Sequence, residues 1–435
     1  MPNIRKKAVE CLIRCERGGY SNLVLMQELA SGGFDARDRA FCTALVYGTL
    51  SRRLTIDRFL ENYVNTPLSR LDEEVLEILR AGVYQLFWMD SVPARAAVNE
   101  SVELCREFRK TSASGLVNAV LRRCSSADIT EAFSGIEERT EYLAVRYSIN
   151  PELAKILSEQ YGEQTEKVLE AMSGRSGLYL RINSLMTDER SAAEALREEG
   201  IETEPSGLAN CLRAVSGFSG RSELMDRGAV RVQGLPEQFA ASCLEAEVGS
   251  KVLDMCSAPG GKTMCIAQDM KNEGSITALD VSESRLELVR KLAEKEKVNI
   301  VETLCCDASV YDSSAVYDRI LCDVPCSGYG EIPSKPELRY KDPEISADLP
   351  ELQYRILCNA SRMLAPSGRI VYSTCTILER ENRSVVNRFL RDNPGFGLYV
   401  PGHLPGGAEE IDGMISFTPG HGGPEGFFIA VLCQL

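Results

Sequence analysis

The sequence is short of several things at once. Among 435 residues it has two histidines, His403 and His421. Its sixteen cysteines run from Cys11 to Cys433 without one Cys-x-x-Cys pair. Structural zinc sites take closely spaced Cys and His ligands, so no metal is expected here. No apolar run approaches the roughly 18 residues a membrane helix needs. Residues 1–10 are charged and lack the apolar stretch of a signal peptide. The chain is therefore expected in the cytoplasm, away from membranes. Its thiols would be reduced there, most of them as small core residues. Internal repeats and low-complexity segments are also missing. The net charge of −14 weighs against nucleic acid, and no DNA partner is expected. That charge is uneven, however. Residues 1–124 carry 18 Lys+Arg against 15 Asp+Glu, and the remainder carries 31 against 48. The first stretch can therefore face a polyanion.

The chain is long enough for two or three domains, and three patterns follow one another. Residues 1–125 read as helix throughout. Ile4, Ala8, Cys11, Leu12 and Cys15 recur at helical spacing before Gly18-Gly19 stops the run. Asn22 to Leu29 starts another helix, Asp35 caps a third stripe, Asp72 opens a long one, and Pro93 and Ser114 mark further starts. Short connections and helical periods predict a small all-α bundle. Residues 126–236 mix helices with short strands at 178–182, 212–215 and 229–232, a small α+β linker domain. Arg181 lies on the first of these strands and is expected at a solvated edge or against a phosphate. Residues 237–435 alternate strand and helix, with strands at 251–255, 275–280, 301–305, 318–323 and 369–373. That alternation predicts a Rossmann-like α/β domain with a parallel sheet covered on both faces. The stretch 426–432 is a last strand that would close an antiparallel hairpin with 414–417.

After the strand at 251–255 comes Cys256-Ser257-Ala258-Pro259-Gly260-Gly261-Lys262-Thr263. A strand, a glycine turn and a helix start bring backbone N–H groups and a helix dipole to one polar ligand. Gly261-Lys262-Thr263 ends like a phosphate loop. That loop needs glycine where Cys256 stands, and Pro259 removes one N–H from the cradle. The Gly-x-Gly-x-x-Gly turn of nicotinamide enzymes is missing too. S-adenosylmethionine fits better, because it needs a turn and not a triphosphate cradle. Asp280, at the end of the second strand, is placed to grip ribose hydroxyls. Asp307 follows the third strand and can hold the adenine amino group. Asp323 ends the fourth.

Two cysteines share those strand ends. Asp323-Val324-Pro325-Cys326 follows the fourth strand and Ser373-Thr374-Cys375 the fifth, so both thiols are expected in one crevice. Beside a methyl donor, such a pair suggests covalent chemistry. C5 of cytosine is a poor nucleophile. A thiolate adding to C6 makes the ring enamine-like, C5 then attacks the sulfonium methyl, and loss of the C5 proton releases the thiolate. Asp323 can hydrogen-bond N3 or the amino group of such a base. Lys262 can favour the thiolate or hold the donor.

These motifs resemble those of the NOL/NOP/Sun family of RNA cytosine-5 methyltransferases. The N-terminal stretch resembles the RNA-binding factor NusB, through Arg80-Ala81-Gly82-Val83-Tyr84-Gln85-Leu86, Ala97-Val98-Asn99-Glu100-Ser101-Val102, Val117-Asn118-Ala119-Val120-Leu121-Arg122 and the run 48–57. Together they point to the RsmB branch, the bacterial 16S ribosomal RNA methyltransferases. The resemblance implies a class I S-adenosylmethionine-dependent domain behind an RNA-binding bundle, acting as a monomer. It implies that Cys375 is the nucleophile and that Cys326 assists product release. It also implies that Cys256, Ser257, Ala258, Pro259, Gly260, Gly261, Lys262, Asp280, Arg285, Asp307 and Asp323 contact the cofactor. The sequence departs from the family pattern at 233–238, at Glu331-Ile332-Pro333-Ser334, where relatives are commonly more basic, and at Glu425 beside Pro424 in the tail. The second departure would remove an RNA contact, and none is expected to touch the two cysteines. The alternatives are the same chemistry on tRNA, and a catalytically silent RNA-binding assembly factor.

Overall fold

The computed structural model describes residues 3–30, 33–423 and 425–435; Met1, Pro2 and Pro424 of the segments above lie outside the described residues. The chain forms two compact units. One comprises Met1–Ser173 with Ile332–Pro343, the other Gly174–Glu331 with Glu344–Leu435.

The first unit is helical. Its helices span Ile4–Glu16, Ser21–Ala30, Ala36–Ser51, Arg53–Glu61, Glu73–Trp88, Ala94–Glu107 and Ser114–Cys124. Asp35 caps the third, its carboxylate accepting a hydrogen bond from the Asp38 N–H at 2.7 Å. The apolar stripes of these helices meet in one core that includes Leu12, Leu45, Ile56, Leu79 and Val120. Three further helices, Arg139–Tyr147, Pro151–Tyr161 and Thr165–Ala171, belong to the same unit. The stretch 126–236 is thus shared: 126–173 goes with the helices and 174–236 with the sheets.

The segment 332–343 is tied into the helical unit by polar contacts. Glu337 accepts hydrogen bonds from the Ser21 N–H at 3.1 Å and its hydroxyl at 2.6 Å. The Tyr340 hydroxyl accepts one from the Arg53 N–H at 3.2 Å. Arg339 is 1% exposed. Its guanidinium donates to the carbonyls of Tyr147 at 2.9 Å and Met172 at 2.6 Å, at the ends of two helices whose last carbonyls have no partner within the helix. Burial pulls its pKa down to about 10.

The second unit holds two sheets. In the smaller, β1 (Leu178–Ile182), β2 (Glu202–Pro205), β3 (Cys211–Ser216) and β4 (Val230–Val232) pair antiparallel in the order β2-β3-β1-β4. β2 escapes a reading of periodicity because it is a polar edge strand ending in proline. The helix Glu189–Glu198 lays Ala192 and Leu196 on Leu180, Ile182 and Leu212. Arg181 corrects the expectation of a solvated or phosphate-bound residue. It is 3% exposed and pairs with Asp269 at 2.9 Å and Gln268 at 3.1 Å. An alternating strand pattern cannot show that a second layer covers its polar face.

The larger sheet has nine strands: β5 (Lys251–Asp254), β6 (Ser275–Asp280), β7 (Val301–Cys305), β8 (Tyr317–Asp323), β9 (Leu364–Thr374), β10 (Phe396–Tyr399), β11 (Ala408–Ile411), β12 (Met414–Phe417) and β13 (Phe427–Gln434). The five strands foreseen are parallel, in the order β7-β6-β5-β8-β9. Ile370 and Tyr372 face one apolar layer and Val371 the other, so both faces are covered. The sheet is mixed rather than purely parallel. β13 runs antiparallel between β9 and β12, which confirms the expected pairing with 414–417 and adds one with β9. An apolar run marks a strand buried on both faces but carries no sign of its direction.

Replacing Arg339 with leucine leaves helix-end carbonyls buried without donors. Each such loss costs about 1–3 kcal/mol. We expect a lower urea midpoint for the transition reported by Trp88, the one tryptophan, and an unchanged midpoint would refute this account of the segment.

Candidate active site

The order β6-β5-β8 puts the chain's change of winding direction at β5, and open α/β sheets bind ligands at the carboxyl ends of strands beside such a point. The glycine turn sits there. Gly260 takes φ +105°, a conformation that L side chains rarely adopt, and the helix Gly261–Asp269 starts immediately after it. The Ser257 N–H and hydroxyl both donate to the Leu279 carbonyl, at 2.8 and 3.0 Å, which fastens the turn to the end of β6. Arg285 bridges the same two elements. It donates to the Ala258 carbonyl at 2.6 Å and pairs with Asp280 at 3.1 Å. The other Asp280 oxygen accepts from the Ser282 N–H at 2.9 Å. Asp307, at the end of β7, accepts from the Ser309 N–H at 2.8 Å, which holds its carboxyl below the usual range. Cys256, in the turn, is kept a neutral thiol by burial.

Lys262 reaches from the helix to Asp323, Nζ to Oδ2 2.8 Å, and lies 5.3 Å from the centre of the Phe427 ring. Burial pulls its ammonium pKa down, but Asp323 and Glu237 outweigh that and hold it above its ordinary value. The Ser373 hydroxyl donates to the other Asp323 oxygen at 2.8 Å.

The two cysteines meet as expected, with Cys326 Sγ and Cys375 Sγ 3.3 Å apart. A polar brace holds their loops. Glu381 accepts from the Ser327 N–H at 2.9 Å and from the Gln353 amide at 3.0 Å, and that same amide donates to the Pro325 carbonyl at 2.9 Å. Asn382 accepts from the Thr374 hydroxyl at 2.6 Å and donates to the Thr376 carbonyl at 3.0 Å. Glu381 is 0% exposed, yet it stands in a stretch whose sequence signals only a polar turn.

Glu331 is the main correction. It was expected to mark a lost RNA contact, away from the cysteines. Its Oε2 instead lies 3.3 Å from Cys375 Sγ. Backbone contacts fix it there: Gly330 N–H donates to the Cys375 carbonyl at 2.9 Å and Gly426 N–H to the Gly330 carbonyl at 3.0 Å. A Cβ at position 330 would stand 1.9 Å from the Gly426 carbonyl oxygen, so only glycine fits. Glu237, in the 233–238 departure, is a second acid missed. Its Oε2 is buried without a hydrogen-bond partner, and burial raises its pKa. The partner thiol of Cys326, then burial, then Glu331 and Asp323 push the Cys375 pKa well above its ordinary value.

A model described as 16S rRNA methyltransferase RsmB/F matches residues 241–433. A NusB family model matches 2–126, and a model of the RsmF/B-like ferredoxin-like domain matches 153–215. A Bacillus subtilis protein named "Probable ribosomal RNA small subunit methyltransferase B" is 32% identical over 439 residues, covering 98% of both chains. The chain belongs to the RsmB/F methyltransferase family. Ribosomal RNA small subunit methyltransferase B of Vibrio cholerae is 31% identical over 443 residues, 99% of this chain and 98% of that one. The crystal structure of PH0851 has the same fold, with a TM-score of 0.85 at 24% identity over 100% of this chain and 99% of that one.

The cofactor of this methyltransferase family is S-adenosylmethionine, and the crevice suits it. It offers carboxylates, which accept hydrogen bonds, and backbone groups, and the basic side chains Lys262 and Arg285 are already ion-paired. That set matches a cationic nucleoside with hydroxyls better than a polyphosphate. Among the described residues no group of Cys, His, Asp and Glu could hold a metal, and no helix is long and apolar enough to cross a membrane.

A thiol with so high a pKa alkylates slowly. We expect iodoacetamide to modify Cys375 far more slowly than the exposed Cys305 near neutrality. The Cys375 rate should climb about tenfold per pH unit and keep climbing past the pH at which an ordinary thiol levels off. Peptide mapping by mass spectrometry reads both rates; fast modification of Cys375 at neutral pH would contradict the arrangement.

Proposed function

We propose that this chain methylates C5 of a cytosine in 16S ribosomal RNA through a covalent bond between Cys375 and C6 of the base. The observation that carries this reading is the pair of sulfurs 3.3 Å apart at the ends of β8 and β9, beside the Lys262–Asp323 ion pair. The names of the family model and the curated relatives support the ribosomal substrate. The match to NusB over 2–126 supports an RNA-binding role for that stretch. The reading assigns 1–125 to RNA binding, 126–236 to a linker that contributes to it, and 237–435 to catalysis. It includes a cytoplasmic, monomeric enzyme.

Cys256 through Lys262, with Asp280, Arg285, Asp307 and Asp323, would hold the cofactor. Bound S-adenosylmethionine supplies an electrophilic methyl group. Asp323, fixed by Lys262 and Ser373, hydrogen-bonds N3 or the amino group of the cytosine and so orients the ring and helps it take up charge. Cys375 adds to C6, and the C5=C6 electron pair moves to C5, which becomes nucleophilic. After C5 is methylated its proton leaves to a base, the double bond re-forms and the C6–S pair returns to sulfur. Cys326, against Cys375, assists that release. C5 and C6 must be reached from opposite faces, so the base leaves its stack.

Labelled S-adenosylmethionine and small-subunit RNA should yield 5-methylcytosine; label on N4 or a ribose would sink the proposal, and label in tRNA alone would redirect it. Cys375→Ala is expected to abolish turnover, whereas Cys326→Ala accumulates an SDS-stable protein–RNA adduct. The opposite pattern would exchange the two roles.

A further inference from the structure

The candidate nucleophile sits in the wrong company for a thiolate. Reactive cysteines are activated by cations, helix N-termini or histidine. Cys375 has Cys326 and Glu331 against it instead, Asp323 adds a further negative charge, and Lys262 is the cation that faces Asp323 and Glu237. Lys262 is committed to Asp323 at 2.8 Å. Both histidines are elsewhere, and His421 pairs with Glu409 at 2.7 Å. Standing ionisation of the thiol is therefore opposed, and its proton must leave as the sulfur bonds to carbon.

We propose that Glu331 is the general base that takes this proton. The inference rests on the covalent mechanism above. Glu331 Oε2 lies 3.3 Å from Cys375 Sγ, within the reach of a sulfur hydrogen bond. Its backbone is pinned by Gly330 to the Cys375 carbonyl and by its own N–H to the Gly328 carbonyl, both at 2.9 Å. Carboxylate and thiol are therefore set in one frame and do not depend on a mobile side chain finding its target. As the S–C6 bond forms from the sulfur lone pair, the S–H proton passes to Oε2 and the C5=C6 pair moves to C5. When the C6–S bond later breaks, its pair returns to sulfur and Glu331 gives the proton back. The proton is borrowed once per turnover, so the step needs no further reactant.

A carboxylate beside a thiol does two opposite things. Its charge disfavours a free thiolate, and its lone pair accepts the proton during addition. Glu331→Gln removes both and so separates them. Small-subunit RNA containing 5-fluorocytosine, with S-adenosylmethionine, arrests the reaction at the covalent adduct, which SDS gels count. With Gln at 331 the rate of adduct formation near neutrality should fall about a hundredfold, the scale of a lost general base. The loss should shrink as pH rises, because hydroxide then ionises the thiol without help. Iodoacetamide should meanwhile modify Cys375 at least as fast as in the parent protein, since the opposing charge is gone. Glu331→Asp should recover part of the adduct rate. An adduct rate unchanged by Glu331→Gln, or lowered equally at every pH, overturns the role of Glu331 while the parent adduct leaves the covalent reading standing. Slowed alkylation together with slowed addition overturns it as well, since it indicates a displaced loop. A parent protein that forms no adduct at all overturns both.

Discussion

Two sulfurs 3.3 Å apart at the ends of β8 and β9 set the terms for the rest of the molecule. The parallel pairing of β8 with β9 sets side by side the strand ends that lead into these two cysteines. Keeping the sulfurs together also requires loops that cannot drift. Glu381, Asn382 and Gln353 supply that rigidity through hydrogen bonds to the Ser327 N–H, the Thr374 hydroxyl and the carbonyls of Pro325 and Thr376. The electrostatic consequence follows directly. A site that sets Glu331 and Asp323 beside Cys375 keeps that thiol protonated, so its reactivity depends on where a proton can go during the reaction.

The same sheet decides what can lie beside the sulfurs. The switch in winding direction at β5 opens the crevice, and the glycine turn, Asp280 and Asp307 come to its rim from three successive strands. Lys262 joins the two halves. It starts on the helix after the glycine turn and ends on Asp323, so the turn and the end of β8 share one ion pair. That pairing separates this crevice from a phosphate loop with a similar local sequence, because a lysine neutralised by a carboxylate has little attraction left for a triphosphate.

Much of this was legible in the residues. The five parallel strands, the glycine turn, the acids at strand ends and the convergence of Cys326 and Cys375 follow from periodicity and from the rule that ligands gather at carboxyl strand ends. Other features were not. Arg181 reads as a polar position on a strand, and nothing local reveals the helix whose Gln268 and Asp269 bury it. β13 reads as an apolar strand, and only its partners show that it runs against β9. Glu331 reads as the start of a run that is commonly more basic in relatives, and its neighbour Cys375 lies 44 positions away in the chain.

The sequence alone determined the elements, the family and the chemical types at the site, because those depend on residue identity at short spacing. The tertiary structure decided which groups face one another: Glu331 against Cys375, Lys262 against Asp323, Arg181 against Asp269, and the segment 332–343 within the helical unit. The physical reason is range. Propensity, capping and alternation act over a few residues, whereas the pKa of a buried thiol or the partner of a buried guanidinium depends on groups that approach only when distant segments pack.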